Sequence, residues 1–207
     1  AKAGFYHAGQ VCVSVQRVYA HASIARGLAE RIADAGRDMK IGDPTLPDTD
    51  IGPLIRHAET DRIHEWVQDA VNKGAELVSG GNKISDSTYE ATVLHNAPDD
   101  ALISCSEVFG PVIQVYSYDN LDEVIARANA LDVSFQAAVF SKNIDTCMHA
   151  FKHLNGSAVM VNDHTAFRVD WMPFAGLKHS GYGIGGIPYT FRDMQIEKMM
   201  VIRSSSL

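Results

Sequence analysis

The chain has 207 residues, enough for one domain with a substantial core, and at 46% hydrophobic and 21% charged it falls in the ordinary globular class. A net charge of −7 argues against a nucleic-acid footprint, and no apolar run approaches the roughly 20 residues of a membrane helix, so neither nucleic acid nor membrane is an expected partner. Cys12, Cys105 and Cys147 are odd in number, widely spread and without a Cys-x-x-Cys pair, which fits neither a disulfide framework nor a zinc site. That cysteine pattern suits a reducing cytoplasm, the expected location, and Ala1–His7 lack the basic and apolar regions of a signal peptide. The absence of an initiating Met and of a visible cap gives the expectation of a fragment that begins partway through an element.

In chain order, Val11–Tyr19 reads as a turn leading into a β-branched strand. Ile24, Leu28, Ile32, Ala35 and Met39 recur at helical spacing over Ser23–Met39, and Gly42 and Pro44 close that helix. A polar loop bracketed by Gly42-Asp43-Pro44 and Ile51-Gly52-Pro53-Leu54 follows. The second amphipathic helix, Ala58–Lys73, carries Ile63, Trp66, Val67, Ala70 and Val71 on one face, with Gly74 as its stop. Short strands are expected at Ala75–Val78, Tyr89–Leu94 and Val112–Ser117, the first ended by the Ser79–Asn82 turn. A helix capped by Asp119 or Asn120 runs to about Ala130 with Val124, Ile125 and Ala128 inward. Gln136–Phe140, a helix over Ile144–His153, and Ser157–Val161 continue the alternation; His149 and His153 read as two exposed helical residues. The order implies an α/β fold, a mostly parallel sheet flanked by helices on both faces. Glu197–Arg203 is a strand candidate outside this rhythm.

Three stretches carry chemistry. The first is Phe5-Tyr6-His7-Ala8-Gly9-Gln10-Val11-Cys12, a Gly-Gln-x-Cys turn with Arg17 on the strand beyond it. A thiolate needs a setting that favours the anion, and a tight Gly-containing turn offers backbone N–H donors, while Ala8 and Gly9 are small enough for close substrate approach. Cys105 and Cys147 have no such motif and read as inert core packing. The second stretch is Glu107-Val108-Phe109-Gly110-Pro111-Val112. The third is Pro173-Phe174-Ala175-Gly176-Leu177-Lys178-His179-Ser180-Gly181-Tyr182-Gly183, led into by the loop Asn162–Met172.

In this order and at these separations the three stretches resemble the C-terminal half of an aldehyde dehydrogenase, over essentially the whole chain. The resemblance implies a catalytic domain over residues 1–190, without the dinucleotide-binding part, and a C-terminal oligomerisation strand and tail over 191–207 that pairs across a subunit interface in a homo-oligomer. It implies oxidation of a small-molecule aldehyde with NAD or NADP, in which Cys12 forms a thiohemiacetal and then a thioester, its backbone N–H helping to hold the oxyanion. The family's oxyanion Asn and water-activating Glu precede the nucleophile, so neither lies in these residues, and the piece alone is expected to be inactive. Glu107 would accept hydrogen bonds from the nicotinamide ribose hydroxyls, a task suited to an acceptor-only carboxylate. Phe109 would pack beside the nicotinamide. Phe174 would wall the aldehyde tunnel.

Arg168, in Arg-Val-Asp-x-Met-Pro-Phe, looks like family members that take anionic or polar aldehydes, including phosphonoacetaldehyde, lactaldehyde and glyceraldehyde phosphate. Its guanidinium fork matches carboxylate or phosphonate oxygens, with an ion pair to Asp170 the competing reading. Departures from the family pattern are His7 where Asn is frequent, Ser106 where a second acid is common, Ala175 for Gly and Gly185 for Glu. Ser134-Phe135-Gln136 also replaces a Tyr-Gly-Leu-like segment, and Val11 supplies no second cation. Two alternatives stay open: a CoA-acylating semialdehyde dehydrogenase, and a non-catalytic scaffold or oligomerisation module.

Overall fold

A computed structural model describes residues 1–206. Its elements are α1 (Lys2–Phe5), β1 (Arg17–His21), α2 (Ala22–Arg37), α3 (His57–Asn72), β2 (Glu76–Ser79), β3 (Thr92–His95), α4 (Leu102–Cys105) and β4 (Val112–Tyr118). After these come α5 (Leu121–Ala128), β5 (Val133–Ser134), β6 (Gln136–Val139), α6 (Ile144–His153), β7 (Ala158–Val161), β8 (Leu177–Lys178) and α7 (Ile187–Asp193). The order β1-β4-β3-β2 forms the main sheet: β1 and β3 run parallel to β4, with Arg17 opposite Gln114 and Thr92 opposite Val112, and β2 lies antiparallel on the edge. This is the α/β arrangement read from the sequence.

Strand β4 is the axis of the core. Val112–Tyr116 are all buried, as a strand covered on both faces requires. On one face Ile113 meets the backbone of α1 at Gly4. On the other, Tyr116 stacks on Tyr19 at 5.2 Å and lies under the Arg127 guanidinium at 4.3 Å. Burial pushes the Tyr116 hydroxyl up to about 12, and that hydroxyl bonds with Ser104 and Gln114. Gln114 is fully buried, and its amide donates to the Ile103 carbonyl at 2.6 Å, so the core itself fixes α4 ahead of the Glu107 loop.

Helix α2 meets the sheet on a different stripe from the one its large residues indicate. Ala25, Ala29, Ile32, Ala33 and Gly36 are buried while Ile24 is 59% exposed. A Cβ on Gly36 would crowd Phe5 and Ala91, so the small residues let helix and sheet approach closely. The helix also ends at Arg37, ahead of Gly42. By contrast α3 buries Ile63, Val67 and Ala70, and Gly74 follows its C-cap with a φ of +106°. Asn120 and Asn143 cap α5 and α6 through their side-chain oxygens.

The second half departs from one continuous sheet. Pairs β6–β7 (parallel) and β5–β8 (antiparallel) stand apart from the four-stranded sheet. Every large side chain that is fully buried lies between Phe5 and Tyr116. Phe140, Ile144, Met148 and Phe151 are more than half exposed on α6 and the turn before it, and the side-chain amide of Gln136 on β6 is buried with no partner among the described residues. Segment Glu197–Arg203 belongs to no strand ladder within the described residues, and Met199, Met200, Val201 and Ile202 are 65–85% exposed. Leu207, the end of the expected tail, lies outside the described residues.

Candidate active site

Cys12 is exposed on a turn closed by the Ser14 N–H donating to the Val11 carbonyl at 2.9 Å. The backbone ahead of it coils through three left-handed residues, His7 (φ 51°), Ala8 (φ 56°) and Gly9 (φ 71°). Gly9 is buried, and a Cβ there would fall on the Gly110 carbonyl. Its smallness therefore seats the first motif on the second, rather than opening a path for substrate. Gln10 fixes the other side, donating to the Pro53 carbonyl at 3.2 Å and accepting from the Ile55 N–H at 2.9 Å. Among the described residues the backbone N–H groups of Val11, Cys12 and Val13 have no acceptor. They remain available to an oxyanion beside the thiol.

Glu107 and Phe109 lie on the loop that Gly9 touches. Gly9, Val11, Ser14 and Gln16 form one wall of a narrow cleft and Glu107–Gly110 the other. Glu107 is exposed, and its carboxylate makes no hydrogen bond or ion pair among the described residues, so its acceptor capacity is open. Partial burial against the loop pushes its carboxyl up, opposed by the nearby Arg62 guanidinium. Phe109 has φ 49° and is 41% exposed, so it is not core packing. A free carboxylate next to an exposed aromatic ring fits a ribose and its adjoining planar base. Arg62 braces the loop, donating to the Val108 carbonyl at 2.7 Å while paired with Glu59 at 2.7 Å.

The third motif reaches the first through one hydroxyl: Thr165 donates to the Val13 carbonyl at 2.6 Å. Arg168, three residues on, is exposed, and its guanidinium lies over the Phe174 ring at 4.3 Å. It forms no ion pair with Asp170 or with another carboxylate of the described residues. Phe174 is half-buried, meets Phe135 edge-on at 4.8 Å, and exchanges both backbone hydrogen bonds with Gly185. A cation–π stack of this kind preorients the guanidinium and leaves its N–H edge free for an anion.

The other two cysteines divide. Cys147 is buried on α6, as expected, whereas Cys105 is exposed at the end of α4. The departure has a local cause: α4 is a single turn whose inward positions are taken by Ile103 and Ser104, so Cys105 points out, its thiol donating to the Ala101 carbonyl at 3.0 Å. His149 is likewise not a bare surface residue, since it pairs with Asp122 and joins α6 to α5. Among the described residues no cluster of His, Cys, Asp or Glu could hold a metal.

Residues 1–200 match the model of the aldehyde dehydrogenase family. The chain is 38% identical over 198 residues to a 3-sulfolactaldehyde dehydrogenase of Priestia aryabhattai, covering 96% of this chain and 41% of that protein. Among solved structures it is similar to aldehyde dehydrogenase 21 of Physcomitrella patens in complex with the reaction product succinate, with a TM-score of 0.89 and 35% identity over 93% of this chain and 40% of that one. It is also similar to the glyceraldehyde-3-phosphate dehydrogenase GapN of Methanocaldococcus jannaschii complexed with NADP, with a TM-score of 0.88 and 31% identity over 93% and 42%. The chain thus spans about two-fifths of the length of these relatives.

Proposed function

The chain belongs to the aldehyde dehydrogenase family, and from that premise we propose that it is the nucleophile-bearing part of a longer enzyme that oxidises an anionic aldehyde to its acid. The observation that carries this reading is the seating of Gly9 on Gly110, which sets an exposed Cys12 turn against a loop with an open carboxylate and an exposed ring. The Cys12 thiolate adds to the aldehyde carbon to give a thiohemiacetal, its oxyanion facing the free N–H groups of the turn. A bound NAD or NADP supplies the acceptor for the hydride that leaves that carbon. Water then adds to the thioester, the acid departs, and the thiolate is regenerated with release of a proton. Glu107 would hold the cofactor by accepting from its ribose hydroxyls, and Phe109 would offer its exposed ring to the nicotinamide.

The anionic tail rests on Arg168, stacked on Phe174 and tied to the Cys12 turn through Thr165. The similar proteins act on or hold a sulfonated aldehyde, a dicarboxylate and a phosphorylated aldehyde, and those groups share the oxygen geometry a guanidinium fork matches. Spectrophotometric assay of the full-length protein with NAD and with NADP, on paired anionic and neutral aldehydes, tests the proposal. No reduced cofactor from any pair would sink it.

Two further outcomes are expected. Glu107→Gln keeps the shape of the side chain but removes a charged acceptor, and should weaken cofactor binding by about 1.5–3 kcal/mol with the melting temperature almost unchanged. Unchanged affinity and turnover, measured together, would take Glu107 out of the site. The apolar, unpaired Met199–Ile202 is read as an interface strand that pairs with another copy in a homo-oligomer. Deleting Glu197–Leu207 should shift sedimentation velocity to a smaller species, and an unchanged coefficient would count against that role.

A further inference from the structure

Gln16 follows Cys12 by four residues and immediately precedes β1, and its side-chain amide crosses to the loop that bears Glu107. Nε2 donates to the carbonyls of Ile103 at 3.0 Å and Ser106 at 2.8 Å; Oε1 accepts from the Val108 N–H at 3.0 Å. The Ser106 carbonyl and the Val108 N–H belong to the two peptide planes on either side of Glu107. Since each plane is rigid, one planar amide that holds both fixes the backbone dihedrals of the residue between them. The main chain of Gln16 is anchored in turn, its carbonyl accepting from the Gln114 N–H at 2.9 Å, and Arg62 takes the next carbonyl, that of Val108. Both Nε2 protons are therefore committed, and the clip spans nearly ninety residues of sequence, from the segment after the Cys12 turn to the loop that bears the carboxylate.

We propose that Gln16 is a positioning residue for cofactor recognition, aiming the Glu107 carboxylate from the segment that joins the Cys12 turn to β1. This rests on the reading of Glu107 as the ribose acceptor. It differs from that reading in where a failure would show. An isosteric Gln16→Met removes all three hydrogen bonds while keeping the length of the side chain. It should raise the Kd for NAD or NADP, titrated into the aldehyde-free full-length protein, by about 10-fold. The rate of Cys12 alkylation by iodoacetamide should stay within about 2-fold, because the Cys12 turn is held by Gln10 and Gly9 instead.

Gln16→Lys keeps donors for the Ile103 and Ser106 carbonyls but not the acceptor for Val108, so its Kd should fall between the two. It also carries the test if the Met variant does not fold. A residue that acts only through Glu107 adds nothing once Glu107 is disabled. Gln16→Met with Glu107→Gln, or Gln16→Lys with Glu107→Gln, should therefore bind cofactor no more weakly than Glu107→Gln alone. Additive losses would overturn the proposal, as would normal affinity in the Gln16 variants beside weakened affinity in Glu107→Gln; the latter leaves the Glu107 assignment standing. Normal affinity in Glu107→Gln itself would remove both.

Discussion

Cys12→Ala in the full-length protein should lower turnover of an aldehyde by at least about 10³-fold, the scale of loss when a covalent nucleophile is removed. Its thermal midpoint should stay near that of the parent, because the side chain is exposed and the turn is held by backbone and by Gln10 rather than by sulfur. The exposure of Cys105 makes the accompanying labelling experiment a sharper one than the sequence implies. Limiting iodoacetamide with peptide mapping now compares two accessible thiols rather than one accessible and two buried. Cys12 sits among unsatisfied N–H donors, whereas the Cys105 thiol is spent on the Ala101 carbonyl. Alkylation at Cys12 should therefore come first. Faster labelling at Cys105, or substantial turnover in Cys12→Ala, would remove Cys12 from the nucleophile's role.

Arg168→Ala should lower kcat/KM for an anionic aldehyde by about 10- to 150-fold and leave a neutral aldehyde of similar length nearly unaffected, as expected for loss of about 1.5–3 kcal/mol of charge-assisted hydrogen bonding. The unpaired guanidinium shapes this expectation. Had Arg168 been locked to Asp170, its removal would have loosened the loop and harmed both substrates alike. Stacked on Phe174, it contributes little that the hydrogen-bonded framework of Phe174 with Gly185 does not already supply. Arg168→Lys should recover only a minor part, since an ammonium neither stacks as a plane nor offers two parallel donors. Equal losses on both aldehydes would show a bracing role instead.

How far the sequence could be read depended on the kind of interaction. Helices with large apolar residues and local caps were legible: α5 begins after Asn120 and α3 turns Ile63 and Val67 inward as the spacing requires. The contact face of α2 was not, because Ala25, Ala29 and Ala33 give a weak hydrophobic signal yet allow the closest approach to the sheet. Period-two patterns locate strands but carry no information on which strands join, so the separation of β6–β7 from the main sheet was invisible. Cys12, Glu107, Phe109, Arg168 and Phe174 were legible as candidates because each sits in a contiguous motif. Gln16, Arg62 and Thr165 were not: each binds a distant backbone carbonyl, and such bonds leave no spacing or residue pairing to detect.

The one hydrogen bond from Thr165 to Val13 has a bearing on how such a molecule diversifies. The rest of the loop and the segment after it are tied elsewhere: Asn162 donates to the Ser141 carbonyl, Lys178 donates to the carbonyls of Asn129 and Leu131, and Ser180 accepts from the Ser134 N–H. Val13 contributes only a carbonyl, which any amino acid provides. Among the hydrogen bonds of the described residues, the Cys12 turn thus asks of the loop only a hydroxyl at Thr165. Under the roles proposed for Cys12 and Arg168, a change of loop sequence can exchange one tail chemistry for another while leaving the thiol and its turn as they are.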